Sequence, residues 1–291
     1  CIYTDTDSVF YSALPLVKNR FPNADVKDDK FMTEQILDIA GEVQDYINKS
    51  YNYFSSKFLN IRGDHRFEIK QEMIAKSAFW VTKKRYGQWI INDGGLEVEK
   101  LDVKGLDIVR SSFPPAFRDF MTKVLKAILA KVPKEKIDEF ILNFKNNLKN
   151  EELDKIALPT GVKGLNKYMD KSKGGFQSKT MFTPMKKGAP VHTKASVIYN
   201  DLLKHFKANN HEPISNGNKV RWVYLKQNPY NIDGLAYKGY DDPKQIIDFI
   251  NQYVDRDKLF DKALSKKIKM FYDAMSWDMP VEKKNTIEKF F

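Results

Sequence analysis

Two carboxylates stand two residues apart near the start of the chain, in Thr4-Asp5-Thr6-Asp7. Short runs of β-branched and aromatic residues flank them between Cys1 and Ser12, which predicts a hairpin with an acidic turn. Because a turn gathers side chains that a strand would separate, Asp5 and Asp7 could approach one divalent cation. Mg²⁺ prefers such oxygen ligands. Taken alone, the pair fits an ordinary polar turn better, since aspartate is favoured in turns.

Two later groups of residues could contact a polyanion. The run Lys83-Lys84-Arg85-Tyr86 follows a predicted strand, although an isolated charge run more often marks a solvated face. The stretch Lys104-Gly105-Leu106-Asp107 leads into Arg110-Ser111-Ser112, and Pro114 and Pro115 come next. A glycine turn, serine caps and a proline at the first helical position predict the start of a helix, whose amides could bind phosphate.

The composition is that of a basic folded protein. The 291 residues are 42% hydrophobic and 13% aromatic, and they carry a net charge of +11. A polyanion is therefore the first partner to consider, and a basic protein without such a partner is the alternative. The single cysteine excludes a disulfide framework and a cysteine-based zinc site, and it suits a reducing cytosol. No apolar run is long enough to span a membrane.

The elements that must position these residues change in type along the chain. Apolar spacing predicts one long amphipathic helix from about Asp28 to Phe58. Strands are predicted at Phe67–Ile74, Ala78–Thr82, Tyr86–Ile91 and Glu97–Val103, with Asn92-Asp93-Gly94-Gly95 as the turn between the last two. A hairpin, a helix and antiparallel strands together predict an α+β layer.

After about residue 110 the pattern becomes mainly helical. Helices are predicted at the stripe Val124–Leu129 and over Lys134–Leu148, Ser196–Phe206, Asp241–Val254 and Asp257–Met275, with a strand at Lys219–Leu225. The segment Val162–Lys194 holds eight lysines and four glycines against one acid, which predicts a basic and partly irregular surface. We therefore expect two domains, residues 1–110 and 111–291.

The acidic turn has the form of a known motif. Tyr3-Thr4-Asp5-Thr6-Asp7-Ser8 resembles the Y-x-D-T-D-S motif of family B DNA polymerases. The resemblance implies that Asp7 is the ligand shared by two catalytic Mg²⁺ ions, that Asp5 is a supporting acid, and that Tyr3 packs beside the site. The implied reaction is attack of a primer 3′-hydroxyl on the α-phosphate of a dNTP, with two-metal catalysis.

Further motifs follow in the order of the same family. Lys83-Lys84-Arg85-Tyr86 resembles K-K-[KR]-Y, which lies along the minor groove of the primer–template duplex, where acceptors are nearly independent of sequence. The stretch from Lys104 and Gly105 through Arg110, Ser111 and Ser112 resembles the segment that joins palm to thumb. Glu72 matches a palm acid beside the metal site. The resemblance therefore implies an antiparallel palm sheet with packed helices, followed by a mainly helical thumb.

The closest resemblance is to the replicative polymerases of T-even-type tailed phages, which places the protein in a host-cell cytoplasm. Near the C-terminus, Ile287 is followed three and four positions later by Phe290 and Phe291, the anchor pattern of peptides that bind a sliding clamp. A phenylalanine pair packed on its own domain is the alternative. The clamp-binding tail of related phage polymerases favours the clamp.

Other family motifs are missing from the 291 residues. Nothing matches D-x-x-S-L-Y-P-S, which carries the first catalytic carboxylate, or the fingers motif K-x-x-x-N-S-x-Y-G, or an exonuclease domain. The chain also opens inside a strand-like run at Cys1, without an initiator methionine. We therefore expect one part of a split or processed polymerase, active only with a partner that carries the missing parts. The alternatives are a DNA-binding product without chemistry and an unrelated basic enzyme.

Overall fold

The computed structural model describes residues 1–61, 63–170 and 181–281. Contacts divide the chain into two compact units, Cys1–Gly105 and Leu106–Phe291. The strand pairings of the described residues are antiparallel, and helices accompany them in both units, so the predicted α+β class is confirmed. None of the helices in these ranges combines the length and the apolarity needed to cross a bilayer.

The first unit begins with the predicted hairpin, formed by β1 (Tyr3–Thr4) and β2 (Val9–Phe10). A short helix that was not predicted, α1 (Leu14–Arg20), follows it. The predicted long helix is confirmed as α2 (Asp29–Phe58), whose N-terminus is capped by the side chain of Asp28. The two helices pack through a small apolar core. The buried members of this core are Val17, Met32 and Ile39.

A three-stranded sheet completes the first unit, in the order β3 (Met73–Thr82), β4 (Arg85–Asp93), β5 (Leu96–Lys104). Gly94 and Gly95 form the predicted turn between β4 and β5. The predicted strand over Phe67–Ile74 is wrong for most of its length, because pairing starts only at Met73. From there one continuous strand runs to Thr82, with irregular register near Ala75 and Ser77.

The second unit opens with a three-residue helical turn at Asp107–Val109, then α3 (Pro115–Leu129) and α4 (Lys134–Asn147). Pro115 is in the first turn of α3, as predicted, but the predicted serine caps are wrong. Pro114 holds the capping position and no side chain caps this helix. The ring of Phe120 stacks on those of Phe140 and Phe144, at centroid distances of 5.1 and 4.1 Å, which joins α3 to α4.

A second antiparallel sheet lies within this unit, in the order β6 (Leu158–Gly161), β7 (Lys219–Tyr224), β8 (Gly234–Tyr237). Helix α7 (Val191–His205) packs against β8 and starts five residues before its predicted start. Two four-residue helices, α5 (Leu153–Ile156) and α6 (Leu165–Tyr168), precede it. The last described elements are α8 (Lys244–Tyr253), α9 (Arg256–Leu259), a π-helical segment (Phe260–Ser265) and α10 (Lys266–Ala274).

Candidate active site

The β1–β2 turn fixes the carboxylate of Asp5. The Thr6 amide donates a 2.9 Å hydrogen bond to Asp5 Oδ1, and the Tyr3 hydroxyl donates a 3.1 Å bond to Oδ2. The ammonium of Lys84 lies 3.2 Å from Oδ1. The Thr6 amide, with smaller contributions from Lys84 and Tyr3, holds the pKa of Asp5 below its ordinary value. Asp5 is therefore an ionised carboxylate in a set position.

Asp7 lies in the same turn but has a different environment. It is exposed, and its carboxylate takes part in none of the hydrogen bonds or ion pairs found across residues 1–61, 63–170 and 181–281. Its oxygens can therefore bind a cation that comes from outside the turn. They are hard donors of the kind that Mg²⁺ prefers, so the turn fits one part of a magnesium site. The described residues contain no group of three acidic, histidine or cysteine side chains that could hold a metal.

An aromatic cluster holds this hairpin on the larger sheet. The rings of Tyr3, Phe10, Trp80 and Tyr86 contact one another at centroid distances between 5.7 and 6.5 Å. Trp80 and Tyr86 are cross-strand partners on β3 and β4. Burial raises the pKa of Tyr86, with a smaller contribution from the negative charge of Asp102. Tyr86 is therefore a neutral phenol within the aromatic cluster that packs against the acidic hairpin.

Phe10 and Trp80 belong to this cluster, although no sequence motif indicates them. The only signal for them was the presence of aromatic residues in predicted strands on both sides of the motif residues. Because the contacts join residues about eighty positions apart, the pattern of either strand alone does not indicate which rings meet. The aromatic cluster exists only where the β1–β2 hairpin meets the β3–β4 hairpin.

The turn between β3 and β4 contains Lys83 and Lys84. Lys84 has a φ of +62°, the left-handed region that side-chain-bearing residues seldom adopt. Its amide donates a 3.2 Å hydrogen bond to the Tyr3 hydroxyl, in addition to the ammonium contact with Asp5. The neighbouring Lys83 is exposed. The basic turn and the acidic turn are thus in direct contact.

Gly105 supports the Lys84 turn from below. It has a φ of +68°, and a Cβ atom placed there would lie 2.0 Å from the Lys84 carbonyl oxygen. Real Cβ atoms essentially never come closer than 3.0 Å to another heavy atom, so only glycine fits without movement. The preceding Lys104 is exposed, and its ammonium lies 3.2 Å from Asp102. Two motifs that are twenty residues apart in sequence therefore pack backbone to backbone.

The loop after Gly105 is organised within the second unit. Asp107 binds both Arg110, at 3.1 Å, and Lys267, at 2.7 Å. The guanidinium of Arg118 donates to the carbonyls of Arg110 and Phe113, which fixes the backbone ahead of α3. The side chains predicted to contact nucleic acid in this loop are exposed. They are those of Arg110, Ser111 and Ser112.

The structure does not bring Glu72 to the acidic turn. Glu72 precedes β3, and its carbonyl accepts a hydrogen bond from the Gly94 amide, at the β4–β5 end of the sheet. Lys84, which contacts Asp5, lies beyond the other end of β3. At about 3.3 Å per residue, the ten-residue strand separates the two ends by about 30 Å. Glu72 thus forms no shared ligand group with Asp5 and Asp7.

Two predicted sites extend beyond the described residues. Ile287, Phe290 and Phe291 of the predicted clamp-binding tail lie outside them, and so does the middle of the segment Val162–Lys194, at 171–180. In the described part of that segment the exposed lysines are Lys163, Lys167, Lys186, Lys187 and Lys194.

Comparison of the chain with known proteins identifies one family. A search of curated proteins finds no match to the chain. The family model for DNA polymerase family B, however, matches residues 1–274. That range contains the acidic turn, the Lys84 turn and the Gly105 stretch. The chain belongs to DNA polymerase family B, and DNA-directed DNA polymerisation is the function that this membership supports.

Proposed function

We propose that the chain is the C-terminal part of a replicative polymerase of the T-even phage type, with the second half of the palm in residues 1–110 and the thumb in residues 111–291. It takes part in the template-directed addition of dNTPs to a primer 3′-hydroxyl. The observation that carries this proposal is the contrast within one turn, where Asp5 is held by protein donors and Asp7 is open. The bonded Asp5 suits the role of a supporting acid, and the exposed Asp7 suits the role of a metal ligand.

In this proposal Asp7 holds Mg²⁺ together with a carboxylate from outside the 291 residues. When bound, Mg²⁺ supplies charge neutralisation at the phosphates and activation of the attacking hydroxyl. Asp5 keeps the turn in place and stays ionised, because its hydrogen-bond donors lower its pKa. Tyr3 and its aromatic neighbours hold the hairpin against the sheet, so that the Asp7 carboxylate meets substrate from a fixed position.

We also propose that exposed cations and polar groups in each of the two units contact primer–template DNA. The contacting residues are Lys83, Lys84, Arg85, Tyr86, Lys104, Gly105, Arg110, Ser111 and Ser112, with further phosphate contacts from Val162–Lys194. Exposure of most of these side chains and the net charge of +11 support this assignment. Such contacts depend on the geometry of the duplex and are nearly independent of its base sequence.

The proposed partners complete what the chain lacks. A segment outside the 291 residues, on the same or another polypeptide, supplies the first catalytic carboxylate, the fingers and the exonuclease. Ile287, Phe290 and Phe291 tether the enzyme to a sliding clamp in the host-cell cytoplasm. A second candidate is a duplex-binding protein without chemistry. It draws support from one observation, the lack of any group of three possible metal ligands in the described ranges.

The decisive experiment measures single-nucleotide incorporation by the polymerase assembled from all its parts. Asp7→Ala should lower the rate by several orders of magnitude while DNA binding persists, because a ligand shared by two metals is lost. Asp5→Ala should be harmful but less so. Glu72→Gln is the matched acidic control and should retain activity, because Glu72 lies about 30 Å along β3 from the turn.

Two outcomes would contradict the assignment. Incorporation near the wild-type rate in the Asp7→Ala enzyme would exclude Asp7 as a shared metal ligand. If the assembled wild-type protein bound duplex tightly but added no nucleotide, the non-catalytic candidate would replace the proposal.

A further inference from the structure

Three residues around the acidic turn form a closed ring of contacts. The Tyr3 hydroxyl donates to Asp5 Oδ2 at 3.1 Å, the Lys84 ammonium lies 3.2 Å from Asp5 Oδ1, and the Lys84 amide donates to the Tyr3 hydroxyl at 3.2 Å. Each member is thus held by the other two. Lys84 contributes twice, once through its side chain and once through its backbone.

The backbone of Lys84 is held in an unfavourable conformation to make these contacts. A left-handed φ is unfavourable for a residue other than glycine, and turns that need it use glycine or asparagine far more often than lysine. The Lys84 carbonyl also lies where only the bare Cα of Gly105 leaves room for it. Strain that is held from two sides points to a role for the residue that bears it.

We propose that Lys84 is a positioning residue of the polymerase reaction, which holds Asp5 and Tyr3 and thereby fixes the turn that presents Asp7. This inference rests on the proposed function and deepens it. Because its ammonium is paired with Asp5, Lys84 supplies the smaller part and Lys83 the larger part of the duplex contact proposed for this turn. Lys83 is exposed and forms no ion pair within the described part of the chain.

The two adjacent lysines provide a matched pair of variants. Lys83→Met and Lys84→Met remove the same charge from the same turn, and methionine keeps most of the length of the side chain. Only the second variant removes a contact with Asp5. Lys84→Arg restores a cation at that position, and Lys84→Gly removes the side chain while relieving the left-handed backbone.

The first measurement is single-turnover incorporation by the fully assembled polymerase, with duplex affinity measured in parallel over a range of salt concentrations. Lys84→Met should lower the maximal rate about 10- to 100-fold, since a small misplacement of a catalytic group costs that much. It should lower the salt slope of DNA binding by clearly less than one, because the Lys84 charge is already paired with Asp5. Lys83→Met should lower the salt slope by about one and reduce the maximal rate, measured at saturating duplex, less than Lys84→Met does. Lys84→Arg should recover part of the rate.

The second measurement does not depend on turnover. Hydrogen exchange of the peptide spanning residues 1–11 should become faster in Lys84→Met and Lys84→Gly than in Lys83→Met, because the ring of contacts no longer holds the turn. In a double-mutant cycle, Lys84→Met combined with Asp5→Asn should be little worse than the more harmful single variant.

Several results would overturn the inference. One is a Lys84→Met enzyme that binds DNA as weakly as Lys83→Met does and keeps the maximal rate. Another is a double variant in which the fold-losses of rate from Lys84→Met and Asp5→Asn multiply. A third is an unchanged rate of hydrogen exchange in the 1–11 peptide. The proposed function fails separately, through an active Asp7→Ala enzyme. An inactive Asp7→Ala enzyme with a fully active Lys84→Met enzyme would remove only the positioning role.

Discussion

Replacing Gly105 by alanine tests the packing beneath the Lys84 turn. The new Cβ would lie 2.0 Å from the Lys84 carbonyl oxygen, and the separation must grow by at least 1.0 Å to reach the 3.0 Å limit. The left-handed φ of +68° costs alanine about 1–2 kcal/mol, and the forced displacement costs about 1–3 kcal/mol more. Together these effects should destabilise the β3–β4 region by about 2–5 kcal/mol.

Gly94→Ala is the control that separates the two costs. Gly94 has a similar φ of +59° and lies in the same sheet, but a Cβ atom added to it would have no neighbour within 4 Å. Both variants carry the backbone cost and the same gain from a stiffer unfolded chain, so these terms nearly cancel between them. The difference between Gly105→Ala and Gly94→Ala therefore isolates the clash with Lys84.

The assay is hydrogen exchange of peptides from β3 and β4, which reports the free energy of opening of this sheet. Gly105→Ala should lower that free energy by about 1–3 kcal/mol more than Gly94→Ala does. It should also slow nucleotide incorporation, because the Lys84 turn holds Asp5. Equal destabilisation by the two variants would show that glycine is required at position 105 only for its positive φ. The close approach to the Lys84 carbonyl would then make no difference to stability.

Three further predictions concern the second unit and the tail. Neutralising Lys186 and Lys187 should weaken binding to duplexes of every sequence and lower the salt slope by about one per lost phosphate contact, whereas unchanged affinity and slope would mark a merely solvated face. Deleting the last eight residues should spare single-nucleotide addition and shorten products only when the clamp is present, because the tether acts through effective concentration; equal loss without the clamp would refute it. Burial lowers the pKa of His192 below 6.5, so the unfolded chain takes up its proton first as pH falls. The free energy of unfolding should therefore decline as pH drops through that value, less steeply in His192→Gln, and equal slopes would contradict this.

Much of the fold could be predicted from sequence because local patterns determine it. The spacing of α2 and the glycine turn between β4 and β5 depend on neighbouring residues alone. The errors arose where local patterns were interrupted. The polar pair Lys76 and Ser77 broke the alternation of β3, yet register irregularities there let one strand continue. Ser112 precedes a helix, but Pro114 takes the capping position.

The candidate site also contains residues that local sequence predicts and contacts that it does not. Asp5, Asp7 and Gly105 could be predicted because their motifs are contiguous. The contact between Lys84 and Asp5 could not, because it joins residues 79 positions apart in two different hairpins. A basic run reads as a DNA-binding surface in sequence, and only the folded chain reveals that one of its charges is directed at a carboxylate of the same protein.

The position of Trp80 gives the site an optical signal of its own. Its indole contacts Tyr3 and Phe10 of the acidic hairpin and Tyr86 of the sheet. Tyrosine transfers excitation energy to tryptophan efficiently at such short range, and the emission of an indole shifts to the red when water reaches it. Detachment of the hairpin would therefore change the fluorescence of Trp80. In a variant that keeps only this tryptophan, the order of the acidic turn could be followed in real time during a single catalytic cycle.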